Sequence, residues 1–79
     1  MYWANILEMT KSLNRLKVVL AEQRRTNKWL AEELGKDVTT VSKWCTNKSQ
    51  PGLETLYKIA KCLNIDAKDL LTPSNANNE

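Results

Sequence analysis

Between Asn27 and Cys45 the chain carries two short helical patterns hinged at a single glycine, and this pairing limits its folds more than any other feature. In the first, Leu30, Ala31 and Leu34 recur on one face. Thr26 precedes it as an N-cap hydroxyl, and Gly35 follows where a glycine with positive φ ends a helix. Asp37 is placed to cap the second pattern, which runs to about Cys45 with Val41 and Trp44 on one face and Thr40 at its edge. Small Ala31 permits close approach of a neighbouring helix. Burying both apolar faces clamps the pair at a steep angle and leaves Val38, Thr39, Ser42 and Lys43 pointing elsewhere. Short polar and β-branched side chains are poor helix formers, so propensity does not account for that outer face. It reads as a surface kept for contacts.

The flanking sequence supplies the rest of a helical core. Leu13, Leu16, Val19 and Leu20 form a stripe that predicts a first helix over residues 13–24, with Arg15, Lys17 and Glu22 outward. Asn47 suits a left-handed C-cap, and Lys48 to Gly52 form a loop that Pro51 keeps out of a helix. A further helix is predicted over residues 53–63, with Leu53, Leu56, Ile59, Ala60 and Leu63 inward. Asn64 ends it and Ile65 plugs the core. Asp66 then caps a short last helix through Leu71, with Asp69 as a capping-box-like acid. The expected fold is all-α, five helices with short loops in a domain spanning residues 13–71. Residues 72–79 read as a flexible tail. Residues 1–12 hold Tyr2, Trp3, Ile6, Leu7 and Met9 at near-helical spacing. They extend the first helix, fold back on the core, or are an addition foreign to the domain.

A chain of 79 residues has room for one domain, and a domain this small has a thin margin of stability. The 42% hydrophobic fraction is enough for a helical core, while two glycines and two prolines are too few for a hairpin-rich sheet protein. The net charge is only +3, but it is unevenly placed. Residues 36–48 hold Lys36, Lys43 and Lys48 against Asp37 alone, whereas the bases and acids after residue 48 nearly cancel. Cys45 and Cys62 are widely spaced and no histidine is present, which argues for reduced cytosolic thiols over a metal site. Nor is there a paired nucleophile and base, a glycine-rich phosphate loop, a signal peptide or an apolar run of membrane-spanning length. The expectation is a cytoplasmic protein without catalysis or cofactor.

The segments LAEELG, VTTVSKW and PGLETLYKIAKCLNID fall in order and register within residues 14–71. This stretch resembles the helix-turn-helix domain shared by phage repressors, Cro proteins and their bacterial relatives, and so implies a lambda-repressor-like fold. The resemblance implies base reading by Val38, Thr39, Ser42 and Lys43. It also implies backbone contacts from Asn27 at the start of the preceding helix and from Thr46, Asn47 and Lys48 beyond the recognition helix. Side-chain chemistry agrees: Lys43 can donate to guanine, Thr39 can donate or accept, and Val38 can meet a thymine methyl. Lys28 and Lys36 add attraction without specifying sequence. Trp44 is assigned to the core and Trp29 to packing, with a contact beside DNA as its alternative.

Three positions depart from the family pattern. Arg24 stands where many relatives place a glycine, so its turn must avoid positive φ or accept strain. Leu20 and Cys45 occupy positions that elsewhere carry an arginine–glutamate pair, an apolar substitution that can be neutral or stabilising. Thr46-Asn47 replaces a frequent Asn-Gly. The implied activity is sequence-specific binding of a double-stranded DNA operator by a homodimer that regulates transcription, acting as a repressor. A DNA-binding antitoxin with a toxin partner is the alternative, and a pure protein-interaction module is a more distant one. For the dimer contact, the family points to residues 63–71, and the apolar start near Trp3 is a second candidate.

Overall fold

The computed structural model describes residues 12–74. The readings of residues 1–11 and 75–79 lie outside them. Among the described residues four α-helices follow in order, α1 (Leu16–Glu22), α2 (Asn27–Leu34), α3 (Val38–Cys45) and α4 (Leu53–Leu63), and then a 3-10 helix (Ala67–Leu70). Helix α2 packs on α3 and α4, α3 packs also on α1, and α4 on the 3-10 helix. Leu16, Leu30, Val41, Ile59 and Leu70, one from each element, are almost wholly excluded from solvent. Trp44 joins them at 6% exposure, so the expected core position holds. Burying an aliphatic side chain this completely contributes roughly 1.5–3 kcal/mol against leaving it in water. That burial is what makes helices of eight residues stable at all.

Helix ends follow the local chemistry with four corrections. Thr26 Oγ1 accepts from the Trp29 N–H at 3.0 Å, as an N-cap should. Gly35 takes φ +67 and Asn64 φ +58, both left-handed terminators. Asp37, Asp66 and Asp69, in contrast, make no side-chain capping bond. All three carboxylates lie in solvent, where water competes with the cap. The first helix starts later than the apolar stripe suggests, at Leu16 instead of Leu13. Asn14 Oδ1 captures the Leu16 N–H at 3.0 Å, a side-chain-to-backbone bond that competes with helix before it. Before Leu16 the chain is instead irregular, with Asn14 in an isolated antiparallel bridge to Leu71 and Thr72 N–H donating to Leu13 O at 2.9 Å. Leu13 is consequently 47% exposed. Leu53 is also outside the core, at 73%, because it opens α4 and the buried stripe begins only at Leu56. The last helix is a 3-10 turn ending at Leu70, one residue short of expectation.

At the α1–α2 turn Arg24 accepts strain, with φ +57. Its N–H donates to Ala21 O at 3.1 Å and that of Arg25 to Leu20 O at 2.8 Å, which closes α1 in a tight left-handed turn. Arg25 then lays its guanidinium 4.3 Å above the Trp29 ring. The rest of Trp29 packs against the core, in line with its packing assignment. Gln23 reaches across to donate to Leu63 O at 2.8 Å, satisfying an orphan carbonyl at the end of α4.

Candidate nucleic-acid interface

Helix α3 is amphipathic in an unusual sense. Its buried side is Val41, Trp44 and Cys45, whereas Val38, Thr39 and Lys43 are exposed and Ser42 is half-buried. Val38 is 47% exposed, a large apolar surface left in water at the first turn of the helix. These four residues fall on one side of the helix, with Val38, Thr39 and Lys43 open to solvent and Ser42 partly covered. A helix presenting such a face matches the width of a B-DNA major groove, and its donors, acceptors and methyls match base edges.

The flanking positions are less uniform than a list of polar residues suggests. Lys28, Lys36 and Lys48 are exposed and place three cations around α3. Thr46 is exposed, but its hydroxyl donates back to Ser42 O at 3.1 Å and Lys43 O at 3.3 Å, leaving the oxygen as an acceptor. Asn47 is half-buried and turned inward, at φ +60. Its Oδ1 accepts from the Asn14 N–H at 3.0 Å and its amide donates to Asn14 O at 3.2 Å. The side chain of Asn47 therefore holds the loop, and its backbone N–H is spent on Trp44 O at 3.0 Å. Asn27 opens α2, half-buried, and its Oδ1 accepts from the Cys45 thiol at 3.3 Å.

Two residues that shape this surface escaped the sequence reading. Asn14 is buried, yet each end of its side chain is satisfied: it donates to Trp44 O at 2.9 Å and to Gln50 Oε1 at 2.8 Å, and accepts from Leu16. Gln50 in turn donates to Asn47 Oδ1 at 3.0 Å. Together Asn14, Asn47 and Gln50 tie the exit of α3 to the start of α1. The available signal was an asparagine interrupting an apolar stripe. Cys45 and Leu20 are both buried in the core, so these two positions carry no buried charge. Burial pushes the Cys45 thiol above its ordinary pKa, and the nearby Lys17 charge pulls it partly back. Cys45 and Cys62 are both free thiols. Among the described residues no helix is long and apolar enough to cross a membrane.

An all-α domain whose second and third helices flank a left-handed glycine, with the third helix exposing one face, is a helix-turn-helix domain. The chain belongs to that family: the family model described as Helix-turn-helix matches residues 16–70, consistent with a lambda-repressor-like fold. A solved structure of a candidate DNA-binding protein from Bacteroides fragilis is similar over 76% of this chain and 97% of its own, at 58% identity and a TM-score of 0.75. No curated protein matches the chain.

Proposed function

We propose that the protein is a sequence-specific duplex-DNA-binding regulator of transcription, a relative of the phage repressors and Cro proteins. The observation that carries this reading is the open face of α3, where Val38, Thr39, Ser42 and Lys43 stand together on a helix anchored by Val41 and Trp44. Val38, Thr39, Ser42 and Lys43 read base edges, while Asn27, Lys28, Lys36 and Lys48 contact phosphates; Thr46 and Asn47 hold the exit of α3, with the Thr46 hydroxyl and the Asn47 N–H already spent on Ser42 O and Trp44 O. The similar Bacteroides fragilis protein supports DNA as the partner. A single domain of this size buries little DNA surface, which favours a homodimer on two half-sites about 34 Å apart. The regulator acts as a repressor.

Selection from random duplex DNA tests the reading and reveals half-site spacing together. On the selected site, Lys43→Ala is expected to lower affinity and to relax preference at one base position by about 1–3 kcal/mol. Lys48→Ala is expected to weaken every duplex alike and to reduce the salt slope by about one. Equal losses on selected and random DNA for Lys43→Ala would remove its base-reading role. Affinity independent of salt would remove the whole reading.

A further inference from the structure

We propose that Cys45 is a positioning residue for DNA binding: its thiol holds the carbonyl oxygen of Asn27 and so turns the Asn27 amino group outward, as a donor to a backbone phosphate. The inference rests on the DNA-binding reading and adds a residue that touches no DNA. Asparagine has one acceptor end and one donor end, and half a turn about its last torsion exchanges them. A phosphate accepts hydrogen bonds only, so an outward amino group attracts it and an outward carbonyl repels it. What decides the orientation is the group on the protein side of the amide.

That group is the Cys45 thiol, 3.3 Å from Asn27 Oδ1. Cys45 is the last residue of α3 and Asn27 the first of α2, so the bond joins the two helices away from their glycine hinge. Cys45 is 7% exposed and half-buried Asn27 lies above it, so water does not readily replace the thiol from below. Burial favours the protonated thiol, which is the form able to donate. A donor below therefore leaves the Asn27 donor end for the side that faces a ligand.

A double-mutant cycle tests this with the full chain and a random-sequence DNA duplex at low salt, because a phosphate contact is independent of sequence. Cys45→Ala and Cys45→Val, one smaller and one larger than cysteine, both remove the donor, and Cys45→Ser restores it. Anisotropy titrations are run below the melting transition of every variant. Cys45→Ala and Cys45→Val are each expected to weaken binding about three- to tenfold, the worth of one neutral hydrogen bond. Cys45→Ser stays close to wild type, and neither apolar change has any effect in an Asn27→Ala background. Should one apolar variant fail to fold, the other completes the cycle. Equal losses with and without Asn27, or no loss at all, overturn the positioning role. Failure of the wild-type protein to bind any duplex overturns the DNA-binding reading and this inference with it, whereas binding without coupling overturns this inference alone.

Discussion

Replacing Asn14 by alanine isolates the contribution of a single buried polar side chain to the whole domain. Its Oδ1 is the acceptor for the Leu16 N–H, the first donor of α1, and loss of this buried bond costs about 1 kcal/mol. Its amide donates to Trp44 O and to Gln50 Oε1. The Trp44 carbonyl keeps a second donor in the Asn47 N–H at 3.0 Å, so it is not orphaned, and the buried bond lost there is worth about 1 kcal/mol. Gln50 is exposed and regains water, so its share is small. The volume left beneath Trp44 adds some cavity cost. Asn14→Ala is therefore expected to lose about 2–3 kcal/mol, the larger part from two bonds of different kinds. A chain of this length has a total stability of roughly 4–12 kcal/mol. Its melting temperature should accordingly fall by about 10–20 °C. Thermal melts and urea titrations followed by circular dichroism at 222 nm, a helix band, measure both quantities. Gln50→Ala serves as the control and should cost less than about 0.5 kcal/mol. A fall below about 4 °C for Asn14→Ala, with an unchanged denaturant slope, would refute the reasoning, since the Asn14 bonds would then be worth no more than their hydration.

Two further outcomes follow from the same geometry. Arg24→Gly relieves a left-handed φ of +57 without touching a core side chain, and is expected to raise stability by up to about 1 kcal/mol in the same melts; a loss would show that the Arg24 side chain makes a compensating contact. The raised pKa of Cys45 makes the neutral thiol the form that the fold favours, so its contribution is complete below the ordinary value of 9.0 and declines as pH rises through the higher folded value. Stability measured from pH 9.0 up to that higher value should drop more steeply for wild type than for Cys45→Ser, and identical pH profiles would show that the thiol is not perturbed by folding.

Much of this architecture is legible because local chemistry and packing agree. Asn27–Leu34, Val38–Cys45 and Leu53–Leu63 match the helices drawn from periodicity, and in each a glycine, an asparagine or a β-capping residue marks at least one end. Periodicity fails where a polar side chain competes with it. Leu13 extends the stripe of Leu16, Val19 and Leu20 in sequence, yet Asn14 takes the Leu16 N–H and the helix cannot grow back past it. Leu53 fails for a positional reason, since the opening residue of a helix need not face the core that the next turn reaches. The four residues of the open α3 face were separable from the core by spacing alone. Asn47 was not: its type is right both for a left-handed cap and for a phosphate contact, and only three-dimensional proximity to Asn14 shows where its side chain goes.

These particulars bear on how a recognition helix stays rigid without the buried charge pair. Such a pair bonds strongly and in a fixed direction, but its desolvation cost cancels much of the gain. Here the two tasks are separated. Leu20 and Cys45 supply burial, with no charge to desolvate. Direction comes from Asn14, which bonds to Trp44 O in the last turn of α3, and from Asn47, which locks the residues just after it. Neither device draws on Val38, Thr39, Ser42 or Lys43. Those side chains are therefore free to vary while the helix that carries them keeps its place, and the helix would lose that place through a change at Asn14, a buried residue outside the open face.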